Sequence, residues 1–232
     1  MKPLVQLPRS IAVAIATAMV FVLASCGGND DAGGKTSPTP SESSETQPSQ
    51  TPEGDDELPS WANEVTKPGD KLTSLKLKDL TVDIYQVGVA EANTVGNVMN
   101  PETGKPIIDK GDDIVYVNYV ITNTGPPVDL GSVLVKIEPR YKNWKFKKAM
   151  DTVTDRDQAE KMNINTSGLE AGKNTDPAIY TLGADQTISY GTNFKYQKNS
   201  AITFHASYIP VDSKGKLLHD EQVEGTAKAE IE

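Results

Sequence analysis

Residues 111–125 read GDDIVYVNYVITNTG, and their period-two pattern is the basis for assigning the fold class. Side chains alternate between the two faces of an extended chain, so every second residue shares a face. One face carries Val115, Val117, Tyr119 and Ile121, and the other carries Tyr116, Asn118, Val120 and Thr122. The first face is fully apolar and the second partly so, which predicts a well-buried strand. The turn sequence NTGPP at 123–127 ends it.

The same period-two alternation recurs on both sides of this stretch. It is seen in Leu75 and Leu77, in Leu80, Val82 and Ile84, in Val133, Val135 and Ile137, in Trp144 and Phe146, in Ile188 and Tyr190, in Ile202, Phe204, Ala206 and Tyr208, and at every second residue from Val223 to Ile231. Seven or more short strands separated by turns predict an all-β fold, a β-sandwich. The sequence lacks the pattern of a long amphipathic helix, which excludes doubly wound α/β folds.

One polar segment, residues 151–176, interrupts the alternation. Thr154 and Asp157 have the spacing of a capping box, so we expect a short helix that reaches residues 160–162. In a β-sandwich, an insertion of this kind is expected to form a loop at one end.

The N-terminus has the pattern of a secretory signal. Residues 11–23, IAVAIATAMVFVL, are thirteen uncharged and mostly apolar residues that follow Lys2 and Arg9. A membrane-spanning helix needs about 20 such residues, so this stretch is short for one. Small residues follow it, as they do at a signal cleavage site. Residues 1–25 are therefore interpreted as a signal peptide.

Residues 23–26, Leu23-Ala24-Ser25-Cys26, resemble the lipobox of bacterial lipoproteins. This resemblance implies that Cys26, the only cysteine, receives a diacylglyceryl group and becomes the lipidated N-terminus. The membrane is then a partner through the lipid, and the protein is held on the outer face of the cell membrane. The alternative is a free thiol beside an ordinary secretory cleavage site.

Residues 27–60 have the composition of a linker. Gly, Ser, Thr, Pro and acidic residues dominate, and Leu58 is the only large aliphatic residue. Such a sequence lacks the apolar side chains that would offset the entropy of ordering it. We expect Cys26 and this disordered tether to occupy 26–60, with a single β-sandwich domain at 61–232. Spacers of this kind resemble those of Gram-positive surface lipoproteins.

The stretch 111–125, with the late strand pair around Ile202 to Ile209, resembles immunoglobulin-like extracellular domains of Gram-positive lipoproteins. This group includes the DUF4352 and MPT63-type immunoprotective families. The resemblance covers roughly residues 70–231 and implies an immunoglobulin-like β-sandwich in an extracytoplasmic location. It carries over no catalytic residues, and it supports a binding or adhesive role by association.

Composition narrows the functional classes. The formal net charge is −9, from 23 basic and 32 acidic residues, which argues against broad nucleic-acid binding. The two histidines, His205 and His219, accompany no Gly-x-Ser-x-Gly sequence. Both are interpreted as surface residues, so we predict a non-enzymatic protein with no catalytic residues and no cofactor.

Two carboxylate groups suggest an alternative hypothesis, a metal-dependent enzyme or metal carrier. They are Asp151, Asp155, Asp157 and Glu160 in the insertion, and Asp109, Asp112 and Asp113 before a strand. Oxygen ligands of this kind suit calcium, but neither group has the Asp-x-Asp-x-Asp-Gly order of a calcium loop. Solvated loop charge is the alternative interpretation, and we predict no metal site.

The candidate binding residues are basic. Between residues 136 and 148 there are six cations, Lys136, Arg140, Lys142, Lys145, Lys147 and Lys148, against the single acid Glu138. On a strand through 142–148, Trp144 and Phe146 would share a face with Lys142 and Lys148. One interpretation is attachment to an anionic cell-wall polymer or to lipid headgroups, with the aromatic rings stacking on sugars. The other is that lysines protect an edge strand beside buried aromatic residues.

Three functional hypotheses remain open at this point. The first is a lipid-anchored binding module whose ligand is an anionic polymer or another surface protein. The second is the metal-dependent protein, and the third is a structural spacer without a ligand.

Overall fold

The computed structural model describes residues 58–147 and 149–232. The predicted signal peptide, the predicted lipidation residue Cys26 and residues 27–57 of the predicted tether lie outside the described residues. Within the described ranges, no helix combines the length and the apolar character that crossing a bilayer requires.

Nine strands and one short α-helix make up this part of the chain. In chain order they are β1 (Asp70–Leu77), β2 (Leu80–Glu91), β3 (Asp113–Asn123), β4 (Val128–Leu130), β5 (Lys136–Tyr141), α1 (Arg156–Lys161), β6 (Tyr180–Leu182), β7 (Thr187–Lys195), β8 (Ser200–Tyr208) and β9 (Val223–Ile231). A single 3-10 turn spans His219–Glu221. The predicted all-β fold is confirmed.

The strands form a sandwich of two antiparallel sheets. One sheet has the order β1-β2-β3-β7, the other has the order β5-β8-β9, and β4 pairs with β6 in a separate ribbon. Four strands facing three is the strand number of a constant-type immunoglobulin sandwich. Here β1, β2 and β3 are neighbours in chain order: a short turn joins β1 to β2, and a longer loop at residues 92–112 leads from β2 to β3.

The main core lies between the two sheets. Val82, Val117 and Tyr119 from one sheet pack in the same cluster as Ile202 and Phe204 from the other. The Tyr119 and Phe204 rings meet edge to face with their centroids 6.2 Å apart. The predicted inward faces of β2, β3, β8 and β9 are therefore confirmed.

A second, smaller core covers the outer face of the four-stranded sheet. Ile114 and Tyr116 on the outer face of β3 pack with Val153, Ala159 and Ile164 from the insertion. Gly191 on β7 allows this close approach, because a Cβ there would lie 2.4 Å from the Ile164 Cγ2 atom. The insertion is the predicted loop with one short helix, but it packs through three apolar side chains on the outer face of the sheet and not at one end of the sandwich.

The helix itself starts one residue later than predicted. Asp155, and not Thr154, is the N-cap residue, and its side chain accepts a hydrogen bond from the Gln158 amide at 3.0 Å. The α1 helix then spans only 156–161, since the chain turns at Asn163 with a positive φ of 53°.

Residues 58–66 form a strap that contacts the segment 165–170 and the outer face of the four-stranded sheet. The Asn63 side chain donates to the Ser167 and Leu169 carbonyls at 2.8 and 3.1 Å. The Thr66 carbonyl accepts from the buried Asn118 side chain at 2.7 Å. Leu58 and Trp61 pack against the main core. The ordered domain therefore includes Leu58, which the sequence analysis assigned to the tether.

Candidate functional site

The predicted binding residues from Lys142 to Lys147 lie on a turn and not on a strand. β5 ends at Tyr141, and the Trp144 amide donates to the Tyr141 carbonyl at 3.0 Å. The predicted strand through 142–148 is therefore wrong, because this hydrogen bond reverses the chain directly after β5. We call residues 142–147 the basic turn. Lys148 lies outside the described residues.

Three lysines of the basic turn are available to a ligand. Lys142, Lys145 and Lys147 are exposed, and within the described ranges none of them forms an ion pair. Lys136 differs, because its ammonium lies 3.0 Å from the Glu138 carboxylate. The proposed binding residues are Lys142, Trp144, Lys145, Lys147 and Lys148. The structure places the three described lysines of this set together as exposed side chains on one short turn.

Arg140 organises the basic turn. Its guanidinium donates to the Phe146 carbonyl at 3.0 Å and to the Lys147 carbonyl at 3.4 Å. Arginine suits this task because its several N–H donors project in a fixed plane. In the sequence, Arg140 is only one of the six cations between residues 136 and 148. No local pattern distinguishes it, because its role depends on the turn that follows β5.

Trp144 and Phe146 form an aromatic pair beside the lysines. Their ring centroids are 5.0 Å apart with an interplanar angle of 75°. Both rings are half-buried, and Trp144 also packs against the main core. The pair therefore fixes the shape of the turn and still leaves part of its surface to solvent.

The edge-strand interpretation fits only part of the basic segment. β5 is an edge strand of the three-stranded sheet, and it contains Pro139, which lacks an N–H donor. Lys136 lies on this strand, but Lys142, Lys145 and Lys147 come after it. Since an edge is protected by residues on the strand itself, protection of β5 does not account for those three lysines.

The carboxylates of the insertion do not converge. Asp151 is buried, with 1% exposure, and it accepts the Val98, Thr152 and Ile108 amides at 2.8, 2.9 and 3.2 Å. Asp157 and Glu160 are exposed on α1. Among the described residues there is no group of three or more His, Cys, Asp or Glu side chains that could hold a metal ion. The interpretation of Asp151 as solvated loop charge is wrong, because its oxygens bind backbone amides.

The second group of acids is also spread over different contacts. Asp112 lies 2.8 Å from the Lys195 ammonium and accepts the Asp109 amide. The hydrogen bond from Lys195 holds the pKa of the Asp112 carboxyl below its usual value. Asp113 is exposed at the start of β3. These residues form a strand-edge ion pair and a turn.

The histidines lie where the sequence analysis expected them. His205 is exposed on the outer face of β8, between the buried Phe204 and Ala206. His219 is exposed in the 3-10 turn. The prediction that both are surface residues is confirmed.

An apolar groove lies at the end of the three-stranded sheet. Its volume is about 390 Å³, and its lining includes Val133, Tyr208 and Leu217. Val133 is 71% exposed, although alternation predicted it on a strand. The strand begins only at Lys136, because the Leu134 amide closes a turn on the Gly131 carbonyl.

Comparisons with known proteins give one structural similarity. No protein-family model matches the chain, and no curated protein sequence matches it. A crystal structure of a candidate lipoprotein, YcdA, from Bacillus subtilis aligns with 15% sequence identity and a TM-score of 0.33. The alignment covers 71% of this chain and 39% of that protein. A similarity at this level carries no argument about function, so the functional argument depends on this chain's own residues.

Proposed function

We propose that the protein is a bacterial surface lipoprotein, anchored through Cys26, whose β-sandwich is a non-enzymatic binding module outside the membrane. The lipobox supports the anchor, because the only cysteine stands at the position that the motif requires. An immunoglobulin-like domain of the DUF4352 or MPT63 type on a Gram-positive surface remains part of this proposal.

The basic turn is the proposed contact with an anionic cell-wall polymer. The observation that supports it is the cluster of exposed, unpaired Lys142, Lys145 and Lys147 beside the half-buried Trp144–Phe146 pair, as found in the described ranges. Polyanions such as wall teichoic acid bind flexible ammonium groups without precise geometry. The aromatic edges offer surface to sugar or polyol units of such a polymer.

Charge reversal at the basic turn tests this contact. We expect the triple variant K142E/K145E/K147E to lose salt-sensitive retention on purified wall material, with affinity reduced about a hundredfold. This estimate takes about 1 kcal/mol for each lysine near an anionic surface. The side chains are exposed and unpaired in the part of the chain that the structure describes, so the fold should be unaffected. Co-sedimentation at increasing salt measures the effect.

The matched control is the triple variant K105E/K110E/K214E, which has the same change in net charge at other exposed lysines. Equal loss of retention in both variants would mean that overall charge, and not the basic turn, drives binding. Full retention of the basic-turn variant would leave the spacer hypothesis, or another surface protein as the partner, as the better account.

The lipid anchor is tested at Cys26. We expect the wild-type protein to carry the added mass of a diacylglyceryl group and to sediment with membranes. The Cys26→Ser variant lacks the thiol that accepts the lipid, so it should lack that mass. Two acyl chains contribute about 0.8 kcal/mol for each buried methylene, which makes attachment lasting. Intact-protein mass spectrometry after membrane fractionation is the measurement, and masses that differ only by the exchange of sulfur for oxygen would refute the anchor.

A further inference from the structure

A cavity of about 280 Å³ lies between β3, β7 and residues 152–156, and we call it the Tyr116 cavity. We infer that it binds a small zwitterion of the amino-acid type, with one ammonium and one carboxylate group. This site is separate from the basic turn and does not depend on the proposed wall contact.

Tyr116 lines this cavity, and its buried hydroxyl has no hydrogen-bond partner among the described residues. Tyr116 is 1% exposed, and its hydroxyl is one of three buried polar side-chain atoms that have no partner among the described residues. The nearby Asn193 side chain is directed at the backbone of residue 153, since it accepts the Val153 amide at 2.8 Å and donates to the Val153 carbonyl at 2.9 Å. A buried hydroxyl without a partner is unfavourable, and a bound ligand would satisfy it.

Asp155 and Arg156 place opposite charges on the lining of the same cavity. Hydrogen bonds from the Gln158 amide and the Asn93 side chain fix the Asp155 carboxylate, at 3.0 and 2.8 Å. These bonds hold the pKa of Asp155 below its usual value, so it stays ionised. Arg156 is exposed, and in the described ranges its guanidinium forms neither an ion pair nor a hydrogen bond.

These two charges select the ligand class. Asp155 disfavours a simple anion, and Arg156 disfavours a simple cation, because like charges repel at short range. A zwitterion satisfies both, with its carboxylate on the Arg156 guanidinium and its ammonium on the free lone pairs of Asp155. The Tyr116 hydroxyl then donates to the ligand or accepts from it.

The size and lining of the cavity limit the ligand further. A volume of about 280 Å³ is at the lower limit of the roughly 300–1,000 Å³ typical of ligand pockets. It therefore suits a single amino acid better than a peptide or an oligosaccharide. Val153 and Ile164 supply apolar wall, and Thr154 and Thr166 supply hydroxyl groups. This combination favours a small side chain such as that of alanine.

The experiment is calorimetric titration of the full chain in detergent with L-alanine and D-alanine. Two derivatives test the charges: alanine methyl ester lacks the carboxylate, and N-acetylalanine lacks the ammonium. We expect saturable binding of at least one enantiomer of alanine, and no saturable binding of either derivative.

Variants locate the binding in the Tyr116 cavity. Arg156→Gln removes an exposed, unpaired cation, and we expect it to weaken alanine binding roughly tenfold to a hundredfold, as the loss of one charge-assisted hydrogen bond does. Tyr116→Phe should weaken it about threefold to tenfold and preserve the fold, because the hydroxyl has no protein partner. Lys228→Gln, at an exposed cation on β9, is the matched control and should bind like the wild type.

Three results would overturn the inference. The first is no saturable binding of either enantiomer at millimolar concentration, which would mean that water alone fills the cavity. The second is alanine binding that Arg156→Gln leaves unchanged. The third is inorganic phosphate that binds as tightly as alanine, which would make this a simple anion site.

Discussion

Replacing Asp151 with alanine is expected to lower the free energy of unfolding by about 3–5 kcal/mol. The carboxylate is buried and accepts three backbone amides, from Val98, Ile108 and Thr152. Alanine leaves these donors without a partner, and each unsatisfied buried donor costs about 1–3 kcal/mol. Gly96 is part of the same arrangement, because a Cβ there would lie 2.0 Å from the Asp151 Oδ2 atom. Urea denaturation of wild type and variant measures the difference.

Asp157→Ala is the matched control for this prediction. Asp157 is an exposed acid on α1 from the same group of carboxylates, and its loss should cost only a few tenths of a kcal/mol, as is usual for a surface substitution. Hydrogen exchange gives a second readout, since the Val98 and Ile108 amides should exchange much faster in Asp151→Ala. Equal stability of the two variants would show that Asp151 does not hold the 96–108 segment.

Alkaline pH is expected to unfold the domain steeply. Burial raises the pKa of Tyr116 to about 12, and it also raises the pKa values of Tyr119, Tyr141 and Tyr190. In the unfolded chain these hydroxyls ionise near pH 10. The stability from keeping them neutral is therefore fully present below pH 10 and is lost as pH rises toward the folded-state pKa values. Each such tyrosine contributes about 1.4 kcal/mol per pH unit, so the four together contribute about 5 kcal/mol per unit.

The free energy of unfolding is measured by urea denaturation between pH 9 and 12. Ordinary domains are stable by about 5–15 kcal/mol, so we expect cooperative unfolding in this range, accompanied by tyrosinate absorbance. Tyr119→Phe removes a buried hydroxyl that has no partner among the described residues. It should preserve stability at neutral pH and reduce the alkaline slope by about one quarter. A stability that stays flat above pH 10 would contradict the prediction.

Alternation of apolar residues was sufficient to predict the central strands. In β2 and β8, buried residues recur at every second position, and in β9 half-buried residues alternate with exposed ones up to the buried Ile231. In β3 the apolar face is also fully buried. A slip by one residue would therefore expose a whole face. Short alternations gave less information. Val133 and the pair Trp144–Phe146 alternate over only two or three residues, and local hydrogen bonds place all of them in turns.

The second core was missed because its signal is divided between distant segments. Tyr116 and Val120 give β3 a second apolar face in the sequence, which indicates that something covers that face. The covering residues, Val153, Ala159 and Ile164, are isolated in a polar segment with no regular period. Their role depends on long-range packing. The same is true of the three amide contacts of Asp151 and of the buried Tyr116 hydroxyl, which has no hydrogen-bond partner among the described residues. A local pattern holds no information about such contacts.

The strap at 58–66 has a mechanical consequence. Hydrogen bonds from Trp61, Asn63 and Thr66 connect it to the rest of the domain; the Trp61 indole, for example, donates to the Thr181 carbonyl at 3.0 Å. A pulling force applied on the N-terminal side of Leu58 must detach these contacts before it reaches the paired strands. Stretching would then release a few residues of extra length at low force, while the sandwich itself stays intact.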